Sequence, residues 1–436
     1  MKRDSITLRI VLSIFVIGLL IIPLTMIQSL ISERESYRDE VVKEINKSWA
    51  AKQVVAGPIL TIINNKWVEN EEGKKYLTQN NYHLLPENLK YETELIPETR
   101  YRGIYEVTLY EANIRISGYF DFDKTKMVKY EELLLNSVEN YLSFSISDLK
   151  GIQGNLAFNW NNEKKEVNPG LKTKELFRNG FTTEAAINKN DKKYYFDVTV
   201  KLKGSENLEF IPLGKTTEVS MRSNWNNPSF TGNFLPSSRE VNADGFTAKW
   251  NINHFNREYP QEWHNNKYEL YPSSFGVKLL VPVDEYQKAM RTSKYGIMII
   301  LLTFVSFFMI EIFSKKVLHP IQYLLIGFSL VIFYSILLSL SEYLLFQYSY
   351  LSASLLVVSL ISLYTSSIYG NYKLGMLIGA FLILFYGFMY IILQLQDYSL
   401  LLGNIALFIV LATVMYLTRK INWYDVLSSK NNLEQK

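Results

Sequence analysis

His319-Pro-Ile-Gln-Tyr-Leu-Leu-Ile-Gly-Phe-Ser-Leu-Val-Ile-Phe-Tyr-Ser-Ile-Leu-Leu-Ser-Leu-Ser-Glu-Tyr343 is the stretch that decides the fold. Its central part, 321–340, carries no charge, and a helix that crosses a bilayer needs about 20 consecutive, mostly apolar residues. Working outward, five further segments meet that description: 8–29, 296–313, 350–369, 374–393 and 399–418. Beyond Arg9 at the start of the first, Glu311 is their only charged residue. From Tyr295 onward only short polar joints interrupt the apolar run. No face is left for water, so soluble core helices are excluded and six transmembrane helices are expected.

Bulk composition hides this division. The mean hydropathy of the chain is close to zero, an average over a polar portion at 31–294 and a tail that is almost wholly apolar. Ten of the 46 basic and six of the 42 acidic side chains lie in residues 1–9 and 295–436, which leaves 36 of each for residues 10–294. That balance argues against a nucleic-acid surface. Lys2, Arg3 and Arg9 precede the first apolar segment; Lys315 with Lys316, Lys373, and Arg419 with Lys420 sit at alternate joints, whereas Glu342 and Asp397 mark the others. Positive charge collects on the cytoplasmic side. Both termini are therefore expected in the cytoplasm and residues 31–294 on the far side of the membrane, which in a bacterial envelope is the periplasm.

The first apolar run, Ile10–Ile27, is longer than the 7–15 residues or so of a signal peptide, and no small-x-small site precedes Glu33, so an uncleaved anchor is expected. The chain has no cysteine, and a domain of this size can bury a sufficient core without disulfides. Residues 33–50 place Tyr37, Val41, Ile45 and Trp49 on one helical face. This juxtamembrane helix either packs on the domain that follows or lies on the headgroups, and Gly57-Pro58 is expected to end it.

Between about 58 and 290 the period is two. Phe196, Val198, Val200 and Leu202 alternate with polar residues, as do Phe246, Ala248, Trp250 and Ile252; Val107 with Leu109, Ile114 with Ile116, and Val219 with Met221 give shorter matches. Many short half-buried strands predict a large, mainly antiparallel, sandwich-like β domain. Met127, Tyr130, Leu134 and Val138 predict a helical insert near 125–142.

Catalytic patterns are absent: there is no Gly-x-Ser-x-Gly, His-Glu-x-x-His, Walker loop or dinucleotide fingerprint. His83, His254, His264 and His319 are scattered, so no metal and no cofactor are expected. Asp121-Phe-Asp123 matches part of a calcium loop but lacks its glycine and terminal Glu, and reads as the solvated end of a strand. One segment, 223–250, is unusual: Pro228, Gly232 and Pro236 constrain the backbone, while Trp225, Phe230, Phe234 and Trp250 offer apolar surface beside Arg239. It is either a surface for a sugar, lipid headgroup or partner loop, or a structured connection whose aromatics fill the core.

These residues resemble the CreD family of bacterial inner-membrane, cell-envelope integrity proteins. The resemblance rests on Glu33-Arg34, Gly57-Pro58, Leu84-Leu-Pro-Glu87, Arg102-Gly-Ile-Tyr105, Ser223-Asn-Trp225, Pro228-Ser-Phe230, Phe234-Leu-Pro236, Arg239-Glu240, Pro282-Val-Asp284, Leu318-His-Pro320 and Trp423-Tyr424. It departs at Tyr343, where the family is expected to carry His, so no pH-sensitive role carries over to that position. The resemblance implies the topology above and an association with envelope integrity and the Cre carbon-responsive system, and it supplies no catalytic residues.

The expected organisation is a cytoplasmic start and anchor (1–30), a periplasmic β domain (31–294), five transmembrane helices (295–418) and a cytoplasmic tail (419–436). Three function classes follow. The first is a non-enzymatic envelope protein whose β domain binds a protein, glycan or lipid partner. The second is a transporter or lipid-handling protein, for which Glu311 is the one intramembrane charge, although a pair with Lys315 at the interface is a simpler account. The third is an envelope-modifying enzyme, which requires carboxylates gathered near Arg239. Membrane lipids are partners in every case, and the oligomeric state stays open.

Overall fold

The computed structural model describes residues 6–69, 75–125, 137–188, 191–279, 285–314, 317–394 and 399–419. The chain forms two compact units: a helical one, Met1–Asp39 with Val283–Lys436, and a β unit, Glu40–Pro282.

Two sheets build the β unit. The first runs, in spatial order, β13 (Pro228–Gly232), β17 (Phe275–Leu279), β11 (Asn207–Phe210), β1 (Gln53–Glu69), β5 (Ser137–Ile146), β9 (Gly180–Glu184) and β8 (Asn168–Pro169). β2 (Lys75–Leu84) pairs with β1 and carries β16 (Glu262–His264). The second runs β14 (Ser238–Asn242), β15 (Gly245–Asn253), β12 (Thr216–Ser223), β3 (Asn88–Arg102), β4 (Tyr105–Asp121), β10 (Lys193–Ser205), β6 (Ile152–Trp160) and β7 (Glu163–Lys165). Pairing is mixed: β1 with β11 and β12 with β3 are parallel, and the other pairs are antiparallel.

Burial follows the period of two. Phe196, Val198, Val200 and Leu202 of β10 are buried, as are Phe246, Ala248, Trp250 and Ile252 of β15. One core joins the sheets: Tyr91 meets Phe210 at 4.8 Å, Phe144 meets Phe158 at 5.7 Å and Trp250 meets Phe275 at 5.7 Å between ring centroids. Each such ring removes roughly 150–250 Å² from water. The opposite phase of the second sheet is polar, with Arg115 bonded to Asp197 at 2.7 Å and Arg222 to Glu94 at 3.0 Å.

Three expectations change. The helix that begins in the anchor, α1, extends as a single element over Ile6–Trp49. It ends before Gly57-Pro58, which lies inside β1 where the register with β5 shifts between Ala56 and Ile59; an irregularity of this kind accommodates a residue without an N–H. The helical insert does not extend over 137–142, which belong to β5, while Met127, Tyr130 and Leu134 lie outside the described residues. Of the expected apolar stripe, Val41 is buried, Ile45 and Trp49 are half-buried, and Tyr37 is exposed.

The helical unit contains, after the first part of α1, α2 (Glu285–Lys294), α3 (Gly296–Ser314), α4 (Pro320–Ser341), α5 (Phe346–Tyr369), α6 (Tyr372–Gln394) and α7 (Ser399–Thr418). Among the described residues, α1, α4, α5 and α6 are long and apolar enough to cross a membrane, and α2 with α3, bent by 42°, would make a fifth span. α7 occupies the last predicted stretch. Leu20 and Leu24 of α1 are buried against this bundle. His319 caps α4 in a reciprocal box with Gln322, with Pro320 at the first position. Glu311, buried in α3, accepts a hydrogen bond from the Leu318 N–H; Lys315 lies outside the described residues.

Candidate functional site

The singled-out segment threads between the sheets. β12 belongs to the second sheet, β13 adds to the edge of the first, and β14 returns to the edge of the second before turning back through β15. Its aromatic side chains pack on the core. Phe230 stands 5.8 Å from both Phe246 and Trp250, Phe234 stands 5.8 Å from Phe275, and Trp225 packs against the same cluster. Trp250 is buried and donates its indole N–H to the Phe234 carbonyl at 3.2 Å. Gly232 has φ +91°, and a Cβ there would lie 2.3 Å from the Ser274 carbonyl; only glycine permits this approach to β17. Pro228 begins β13, and Pro236 lies in the connection to β14. Arg239 is exposed, with its guanidinium 5.7 Å from the Phe230 ring centroid.

With its aromatic side inward, the segment turns a polar side outward. Cross-strand register aligns Glu240, Thr247, Arg222 and Glu94 in one row over four strands. This row floors a trough of about 530 Å³ whose walls include Asn224, Asn242 and Asp244. The Asn242 side chain accepts from the Asp244 N–H at 3.1 Å and shapes the tight β14–β15 turn. Arg222 is held by Glu94 at 3.0 Å, while among the described residues no ion pair reaches Glu240 or Asp244. The trough is therefore acidic and suits a ligand that brings hydrogen-bond donors or positive charge. Sequence reading singled out the inward half of the segment; the signal for the outward half was the opposite phase of the same alternation.

A second polar cluster joins residues that looked scattered. β16 on β2 sets Trp263 opposite His83, and His264 opposite Tyr82. His83 is fully buried, with Nδ1 3.0 Å from the Thr61 hydroxyl and Nε2 3.5 Å from a Glu175 oxygen. Asn81 donates to the same Glu175 oxygen at 3.0 Å, and the Tyr82 hydroxyl donates to Glu262. Burial pulls the His83 pKa down to about 4 against the opposing field of Glu175; burial, then Glu262, pushes Tyr82 up. Among the described residues no group of three or more His, Asp or Glu side chains could hold a metal ion. Asp121 ends β4 and caps the short turn Phe122–Lys124; it is buried rather than solvated, while Asp123 is exposed.

A mixed β-sheet domain set within a chain of long apolar helices defines a membrane protein with a folded β unit. The model of the family described as inner membrane protein CreD matches residues 5–424, and the chain belongs to that family. It is 32% identical over 415 residues to the inner membrane protein CreD of Escherichia coli (strain K12), covering 93% of this chain and 91% of that protein.

Proposed function

We propose that this protein supports the integrity of the cell envelope by binding an envelope partner, a protein, glycan or lipid headgroup, through the polar trough of its β domain. The trough carries the reading: it is a concave, acidic, solvated surface on a rigid two-sheet frame, built on the segment that the sequence marks as unusual. Family membership supports an inner-membrane location. The charge pattern of the joints supports six spans, cytoplasmic termini and a periplasmic β domain. At one end of the helical unit, Glu342 lies 3.8 Å from Arg34 and accepts from the Tyr286 hydroxyl at 3.4 Å, so the joint that holds Glu342 is level with the residues that flank the β domain in sequence, in keeping with that topology.

The test is a charge reversal of the full-length protein, Glu240→Lys with Asp244→Lys, in bacterial cells lacking their own copy. Both residues are exposed, so folding and membrane level should match wild type. Envelope permeability to a hydrophobic dye is expected to rise to that of cells without the protein. Normal permeability at normal protein level would overturn the reading.

A further inference from the structure

The α5–α6 hairpin packs closely near its connected end. A Cβ at Gly375 would lie 1.8 Å from the Ser366 hydroxyl, and one at Gly379 would lie 2.5 Å from that of Ser362. The backbones approach there through small residues, a packing mode that suits helices in lipid. Two turns further along α6, at Gly387, a Cβ would meet nothing within 4 Å. At that level the Tyr350 hydroxyl donates to the Tyr386 carbonyl at 2.8 Å, and its ring stands 5.4 Å from that of Tyr390. Residues of both helices at this level line a slot of about 500 Å³.

The slot has a floor and rims. Ser354 and Val358 are buried along its base, while Leu355, Ile383 and Gly387 are exposed at its edges. It extends along α5 from Gln347 to Ser359, about 18 Å of helix at 1.5 Å per residue. That is close to one leaflet of a hydrocarbon core about 30 Å thick. Its interior is mostly apolar, and its mouth, at the Phe346 end of α5, carries Gln347 and Tyr390, side chains suited to headgroup level. A chain lying in it would touch both helices, where a lipid on a convex helix face touches one.

We propose that this slot binds one acyl chain of a membrane phospholipid, with the headgroup at Gln347 and Tyr390 and the chain running past Val358. The site is independent of the trough on the β domain. The probe is a phosphatidylethanolamine bearing a diazirine on one acyl chain, mixed into nanodiscs of phosphatidylethanolamine and phosphatidylglycerol that hold the full-length protein. After irradiation, adducts are mapped by peptide mass spectrometry. Label is expected to concentrate on the slot residues of 347–359 and on Ile383, Tyr386, Gly387 and Tyr390, above the exposed Leu377 and Leu384 outside the slot, and to fall with excess unlabelled lipid. Gly387→Leu fills the slot from a position with open space, and Ser359→Phe closes it from the other helix; each should reduce label there to the level at Leu377 and Leu384. Even, unsaturable labelling, or labelling that both variants leave intact, would overturn the site. So would a chemically cross-linked species of twice 50.7 kDa that Gly387→Leu abolishes, since the slot would then join two copies of the chain.

Discussion

The Lys203 ammonium lies 4.0 Å from the centroid of the Trp49 indole, a ring that the Arg100 guanidinium also covers at 4.2 Å. Around this clamp the last turns of α1 bond to the β unit: Asn46 to Glu206 at 2.9 Å and Glu44 to Arg102 at 2.7 Å. Lys52 closes on Glu206 at 3.0 Å. Of the two sequence readings of the juxtamembrane helix, packing on the domain describes this end of it.

Trp49→Ala removes two cation–π contacts of about 0.5–1 kcal/mol each together with the half-buried ring surface. A loss of about 2 kcal/mol in β-domain stability is expected in chemical denaturation of the full chain followed by tryptophan fluorescence. An unchanged midpoint would show that the clamp contributes nothing.

His83 makes stability depend on pH. Its folded pKa of about 4 lies below the ordinary value of 6.5, so between these values the unfolded chain binds a proton that the folded domain refuses. Stability is full above pH 6.5 and falls as pH drops through 6.5 toward 4, by up to roughly 3 kcal/mol. Thr61, Asn81, Glu175, Trp263 and His264 surround the ring. His83→Gln should flatten the melting temperature over this window, and a slope equal to that of wild type would contradict the assignment.

Gly232→Ala is expected to cost at least about 2 kcal/mol, because φ +91° and the 2.3 Å approach to the Ser274 carbonyl leave a methyl group nowhere to go. Circular dichroism during thermal unfolding of the full chain reads it directly. Arg239→Ala, at an exposed residue that lies opposite Ala248 and over the Phe230 ring, removes one cation–π contact and should lower the same stability by no more than about 0.5–1 kcal/mol.

Glu311→Gln retains an acceptor for the Leu318 N–H, whereas Glu311→Ala leaves that buried donor without this bond. The alanine variant is expected to lose about 1–3 kcal/mol of helical-unit stability, measured by unfolding in detergent, and the glutamine variant far less. Equal losses would mean that the charge itself, as in a transport pathway, is what the site requires.

The sequence announced what water and lipid dictate locally. Apolar length placed the helices, and alternation placed Val198, Val200 and Trp250 in the core, because in each case one side chain meets one solvent. Partnership across distance was silent. Nothing local to Gln53 names Leu208 as its parallel neighbour, and nothing near His83 points to Glu175. In the 223–250 segment the unusual residue types were visible but their direction was not: Phe230 and Phe234 turn inward, and the trough is made by Arg222, Glu240 and Asp244, whose types are ordinary for a solvated strand.

The parallel pairing of β1 with β11 also bears on how the protein is made. In the proposed topology the β domain is exported from its N-terminal end, so Gln53–Val55 emerge early and wait for Leu208–Phe210. Until then the first sheet presents an open edge, the kind of surface on which chains aggregate, and contacts this far apart in sequence close slowly. Biogenesis is thus exposed to stalled translocation at any point before Phe210, and cells short of periplasmic chaperones should lose this protein before they lose membrane proteins without such a domain.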